Sequence, residues 1–242
     1  MKIISVVGAR PNFMKIAPFI HAIEEYNTTT SETIEHLLVH TGQHYDDRMS
    51  RAFFEALSIP EADINLEVGS GTHAEQVGNT MIAFEKVLLD EKPDWVVVVG
   101  DVNATLACSV TAKKLHIKVC HIEAGLRSGD IKMPEEINRL VTDRLSDLLL
   151  VPDLLSIKNL EQEGASPTSI KFVGNIMIDT LESNREKASG LKVQDIINQN
   201  ALVKNDSVIE PSREFALITL HRPSNVDNDG ILTAIINFLS DE

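Results

Sequence analysis

Short β-branched runs alternate along this chain with longer stretches of amphipathic periodicity, and that alternation leaves few folds open. Parallel strands need a long crossover between them, and a helix supplies it while covering the sheet. The run Val96-Val97-Val98-Val99 shows no polar alternation, as a strand does when both of its faces are covered. Strands are predicted over Lys2 to Val7, Ile34 to His40, Trp95 to Val99, Lys118 to Ile122, Leu148 to Val151 and Ile170 to Val173. Helical spacing runs over Phe13 to Tyr26, Thr72 to Leu89, Ala104 to Leu115, Glu135 to Leu145 and Leu154 to Glu163. Thr72 and Glu75 have the spacing of a capping box at the second of these starts. The expected fold is α/β, a doubly wound, Rossmann-like parallel sheet.

The pattern changes after Gly174. Ile176 to Ala188 and Val193 to Asn200 read as helices, and Val203 to Glu214 is polar and contains Pro211. Phe215 to Leu220 reads as a fresh buried strand, followed by a loop and a helix from about Gly230. One strand and one helix cannot enclose a core. We therefore expect residues 1–174 to form an N-terminal domain and residues 175–242 a crossover and the incomplete start of a second domain.

The net charge of -14 argues against nucleic-acid and anionic-membrane partners, which need a basic face. An anionic substrate must then be met by a few well-placed cations. Cys108 and Cys120, the only cysteines, sit in apolar surroundings and suggest neither a disulfide framework nor a zinc site. No basic leader precedes the first strand, and no segment reaches the ~20 apolar residues of a membrane helix. A reducing cytosol is the expected location.

Ligands of open α/β sheets bind beyond the carboxyl ends of the strands, and the unusual residues cluster there. Gly8 to Asn12 matches neither a Walker loop nor a GxGxxG fingerprint, but it offers Arg10 at a strand end, Asn12 as a helix cap and Lys15 one turn in. A turn with two surface cations is the plainer alternative. Asp101 follows the four valines, where a helix cap would also explain it. Glu123 leaves a buried strand and needs partners to offset desolvation, in a site or in a structural ion pair. Glu135 and Glu136 open a helix behind Pro134, and Glu135 lies four residues from Arg139, the spacing of a surface ion pair. His36, His40 and His44 recur every four residues, but the first two lie on a strand, which speaks against a metal helix. His221-Arg222 follows the late strand as a further anion site.

Together these loops resemble the non-hydrolysing UDP-N-acetylglucosamine 2-epimerases, whose fold is the two-Rossmann-domain glycosyltransferase-B type. The resemblance rests on Gly8-Ala9-Arg10-Pro11 with Lys15, Thr41-Gly42-Gln43-His44, Gly100-Asp101, His121 to Arg127, Pro134-Glu135-Glu136 with Asn138-Arg139, Gly174-Asn175 with Ile178-Asp179, and His221-Arg222. Two loops depart from the commoner family forms, at Ala9 and Asn12 and at Pro223-Ser224-Asn225, and are similar to relatives acting on UDP-diacetamido-glucuronic acid. Tyr45 after Gln43-His44 departs from the usual QHR.

The resemblance implies inversion at C2 of a UDP-2-acetamido sugar, by elimination of UDP to a 2-acetamidoglucal and re-addition. It implies Asp101, Glu123 and Glu135 as acid/base carboxylates and His221 as a further catalytic residue. Arg10, Lys15, Gln43, His44, Arg139 and Arg222 would bind substrate, Arg139 by orienting Glu135. It calls for no metal, nicotinamide or flavin. It also implies a role in cell-envelope polysaccharide synthesis, a homodimer at full length, and a second domain that binds nucleotide, without which this chain would be inactive alone. A hydrolysing epimerase, an epimerase of the diacetamido sugar and a binding-only nucleotide-sugar module are the alternatives; a glycosyltransferase of the same fold has no need of several carboxylates at strand ends.

Overall fold

The structure, a computed structural model, describes residues 1–42, 59, 61–200, 218–220 and 223–241. Two compact units are present, Met1–Glu186 and Lys187–Glu242. The first holds a seven-stranded parallel sheet in the order β3-β2-β1-β4-β5-β6-β7. Its strands are β1 (Lys2–Val7), β2 (Glu35–His40), β3 (Ile64–Asn65), β4 (Trp95–Val99), β5 (Lys118–Ile122), β6 (Leu148–Val151) and β7 (Ile170–Phe172). Strand order reverses between β1 and β4, so the loops after these strands flank the switch point. The two-residue edge strand β3 was not expected, because so short a segment has no period to read.

The described helices of this unit are α1 (Arg10–Thr29), α2 (His73–Glu91), α3 (Asn103–Lys114), α4 (Pro134–Leu145), α5 (Leu154–Gln162) and α6 (Ile176–Ser189), the last running on into the second unit. The valines of β4 show why the run lacks alternation. Val97 and Val99 pack with Phe13, Ile16 and Ile20 of α1, whereas Val96 and Val98 pack with Phe84 and Leu88 of α2 and Cys108 and Ala112 of α3. Both faces are dry, and each fully buried Val, Leu, Ile or Phe side chain contributes about 1.5–3 kcal/mol. The Thr72–Glu75 capping box forms as its spacing predicts. Among the described residues no helix is long and apolar enough to cross a membrane.

Helix α1 starts at Arg10 rather than Phe13, with Ala9 as its cap. Asn12 is therefore inside the first turn and is not the cap that its position suggested. Pro18 lies within α1 and has no N–H for the carbonyl of Met14, four residues earlier. The Thr180 hydroxyl of α6 donates to that carbonyl instead, and Thr180 is buried there. A backbone defect in one helix thus becomes the docking point for another. The boundary expected at Gly174 falls before α6, which this contact ties to the first unit.

In the second unit the described helices are α7 (Val193–Asn200), α8 (Pro223–Val226) and α9 (Asp229–Asp241). The buried strand expected over Phe215 to Leu220 is absent from its described part. Ile218, Thr219 and Leu220 are exposed and join no ladder, and a strand without a paired neighbour has nothing to hold it extended.

Thr180→Val keeps the shape of the side chain but leaves the Met14 carbonyl without its donor. We expect a loss of about 1–2 kcal/mol, the cost of an unsatisfied buried acceptor, read as a lower urea midpoint at unchanged slope. An unchanged midpoint would show that the contact does not hold α6.

Candidate functional site

β4 and β5 are adjacent and parallel, so the residues that follow them emerge side by side at the carboxyl edge. Gly100 turns the chain out of β4 with φ +68°. A Cβ there would lie 3.3 Å from Lys15 Nζ and 3.4 Å from Asn12 Nδ2, so glycine both permits the turn and keeps this space open. Glu123 leaves β5 with φ +75°, a left-handed conformation that costs a non-glycine residue about 1–3 kcal/mol. Its amide and that of Ala124 both donate to the Leu150 carbonyl, which holds the strained turn against β6. The Glu123 carboxylate forms an ion pair with Lys15 of α1, and both side chains are largely buried.

Asn12 bridges the first loop to the same place. Its Oδ1 accepts from the amides of Gly8 at 3.1 Å and Ala9 at 3.0 Å, and its Nδ2 donates to the Val99 carbonyl at 3.1 Å. This side chain is buried, and both its oxygen and its nitrogen bond to backbone. The departure from the family form at Asn12 is therefore spent on the loop's own structure.

Asp101 does not cap α3; Val102 occupies the cap position. The Asp101 carboxylate pairs with Arg139 of α4 at 2.5 Å, and its carbonyl accepts from Asn138 Nδ2 at 2.8 Å. Arg139 also reaches Glu136 at 2.7 Å. This corrects the expectation that Arg139 orients Glu135. Both spacings bring side chains together on a helix, but Glu136 is buried and already fixed by the amides of Ser128 and Gly129, each at 3.0 Å. Burial alone would raise the Glu136 pKa, yet those amides and Arg139 together lower it to about 2.

A second buried carboxylate, Asp143, ties the two turns to each other. It meets His121 Nδ1 at 2.6 Å, the Gly125 amide at 3.0 Å and Arg127 Nη1 at 2.8 Å. His121 Nε2 in turn lies 2.8 Å from the Gly100 carbonyl. Burial opposes ionisation of Asp143, but the His121 hydrogen bond and the charges of His121 and Arg127 outweigh it and lower its pKa. Gly125 has φ +83°, and a Cβ there would come within 2.5 Å of the Ser156 carbonyl, so this turn requires glycine. Sequence reading passed over Asp143 and Glu136 as binding elements. The available signal was a helix whose buried residues, Glu136, Asn138, Thr142 and Asp143, are all polar.

The structure thus brings together Lys15 with Glu123 and Arg139 with Asp101, on either side of Gly100. Glu135 opens α4 half-buried and makes no ion pair among the described residues. Arg10 is the first residue of α1; its side chain, and all of Gln43, His44, His221 and Arg222, lie outside what is described. A cavity of about 480 Å³ opens between α1, α6 and the ends of β5 and β6, with Glu123, His21 and Asp179 among its walls. His36 is bonded to Ser5 at 2.9 Å, and burial lowers its pKa. His40 stacks beside Phe13. Cys108 and Cys120 are free and buried, and burial raises both thiol pKa values, that of Cys120 to about 12.

The Glu136 shift has a definite sign. A carboxylate whose pKa falls on folding stabilises the protein fully above its ordinary value of 4.5, and that stabilisation is lost as pH falls toward about 2. Urea midpoints of the parent chain and Glu136→Gln should differ most near neutrality and converge in that acid window. A gap that stays constant with pH would contradict the assignment.

The family model for UDP-N-acetylglucosamine 2-epimerase matches residues 27–241. A UDP-N-acetylglucosamine 2-epimerase of Methanocaldococcus jannaschii is 44% identical over 236 residues, covering 98% of this chain and 61% of the relative. A UDP-2,3-diacetamido-2,3-dideoxy-D-glucuronate 2-epimerase of Pseudomonas aeruginosa is 41% identical over 246 residues, covering 100% of this chain and 63% of the relative. The chain thus spans about three fifths of the length of these relatives. The crystal structure of the M. jannaschii epimerase in complex with UDP-GlcNAc and UDP superposes with a TM-score of 0.83 at 41% identity, over 100% of this chain and 62% of that one. The Neisseria meningitidis epimerase bound to UDP-GlcNAc gives 0.74 at 33% identity, over 82% and 53%. Matched by the family model over most of its length and by such relatives throughout, the chain belongs to the UDP-N-acetylglucosamine 2-epimerase family.

Proposed function

We propose that this chain carries the acid/base half of an enzyme that inverts C2 of UDP-N-acetylglucosamine to give the manno epimer. The observation that carries the reading is the pair of cation-held carboxylates, Asp101 with Arg139 and Glu123 with Lys15, at the ends of adjacent strands. The C2 hydrogen is not next to a carbonyl, so its removal has to be coupled to departure of UDP. That coupling needs a positioned base, a group that stabilises the leaving diphosphate, and exclusion of water from the glycal.

On this reading Asp101, Glu123 and Glu135 share the proton transfers on the two faces of the sugar. Lys15, Arg10 and His221 face the diphosphate, with Gln43, His44 and Arg222 as further substrate contacts. Lys15 is drawn to Glu123 in the structure, and a bound diphosphate would compete for the same ammonium. Arg139 holds Asp101 through a two-carboxylate bridge with Glu136 rather than touching the sugar. Residues 1–174 are the N-terminal catalytic domain, and residues 175–242 are the crossover and start of the nucleotide-binding domain.

A second substrate, the UDP-diacetamido-glucuronate sugar, is favoured by the P. aeruginosa relative and by the loop Pro223-Ser224-Asn225. Offering both UDP sugars to one preparation and comparing kcat/KM decides between them.

In a protein carrying these residues at the length of the relatives, Asp101→Asn, Glu123→Gln and Glu135→Gln should each keep the fold and UDP binding while lowering turnover by about 10²–10⁴-fold. Product analysis by NMR reads both rate and outcome. Near-parent turnover in all three variants would return these carboxylates to structural ion pairs, and free N-acetylmannosamine as the sole product would make the enzyme hydrolysing.

A further inference from the structure

A histidine ring placed between two acceptors has to donate from both nitrogens, and His121 is so placed. Nδ1 faces a carboxylate oxygen of Asp143 at 2.6 Å and Nε2 faces the Gly100 carbonyl at 2.8 Å. A neutral imidazole has one N–H. It would leave a lone pair against an oxygen in a place closed to water, since the His121 side chain is 1% exposed and that of Asp143 2%. The charges around the ring balance when it is protonated. Asp143 is shared by His121 and Arg127, and Arg127 also pairs with Glu163 at 2.6 Å, which gives two cations and two anions. Three of the four are buried and Glu163 lies at the surface, so removing Asp143 leaves a buried charge uncompensated.

The ring also acts on the candidate site. Gly100 immediately precedes Asp101 and turns the chain with a left-handed φ that glycine adopts freely. Its carbonyl is fixed by His121 of β5 and the next carbonyl, of Asp101, by Asn138 of α4. The peptide that carries the Asp101 side chain is thus gripped from both ends. We infer that Asp143 keeps His121 as an imidazolium, and that this pair is a positioning device which sets the Gly100–Asp101 turn so that Asp101 meets Arg139. That it serves catalysis rests on the reading of Asp101 as an acid/base group; the protonation state does not.

Nitrogen-15 NMR of the 242-residue chain with labelled histidine tests it, the His121 signals being assigned by their loss in His121→Gln. Both ring nitrogens of His121 should carry protons at about pH 8, where an ordinary imidazole, with a pKa of about 6.5, is neutral. In Asp143→Asn one of these protons should be lost, and the backbone amide signals of Gly100 to Asn103 should move while those of β2 stay. A single protonated nitrogen in the parent chain overturns the inference whether or not either variant folds. At the length of the relatives, His121→Gln should lower kcat on the order of 10²-fold, the scale of a displaced catalytic group, with KM little changed. Full turnover in that variant would remove the positioning role. If no C2 inversion is found in the parent protein, the proposed reaction fails, while the ring-nitrogen result still decides the charge of His121.

Discussion

One buried carboxylate, Asp143, holds the carboxyl edge of the sheet in order. Left alone in the interior it would be costly by several kcal/mol, so the fold is constrained to surround it with donors. Those donors come from β5 and the loop that follows it: the His121 ring on the strand, then the Gly125 amide and the Arg127 guanidinium. Through His121 the constraint reaches Gly100 at the end of β4. Two strand ends that bear Asp101 and Glu123 are thereby tied to one point on α4, and the left-handed backbone at Glu123 is the local cost of holding them there.

The pairing pattern beyond that point follows from charge. With a net charge of -14 the chain has few cations to place, and at this edge Lys15 and Arg139 each meet a carboxylate of the site. Arg139 is itself held by Glu136, which the Ser128 and Gly129 amides keep ionised. The result is a pair of carboxylates, each held by a cation, at the ends of two adjacent strands.

Much of this was legible in the sequence, for physical reasons that differ from residue to residue. The valine run announced a strand buried on both faces because hydrophobic burial leaves a periodic mark, and strand-end loops announced the site because parallel sheets bind ligands there. What failed was local hydrogen bonding. Asn12 looked like a cap because caps and first-turn residues share composition, and only the start of α1 at Arg10 separates them. Arg139 had carboxylates at both i-4 and i-3, and sequence spacing cannot tell which is buried. Asp143 was invisible because its partners at positions 121, 125 and 127 are remote along the chain. Ile218 to Leu220 had the composition of a strand without a described neighbour to pair with.

Whether carboxylates at this edge take the hydrogen from C2 can be measured directly. A protein with these residues at the length of its relatives should be incubated with UDP-N-acetylglucosamine in deuterated water and the sugar followed by proton NMR. Deuterium is expected at C2 of the epimerised product, and in recovered substrate as the reaction reverses. Epimerisation that retains the original hydrogen at C2 would contradict that expectation.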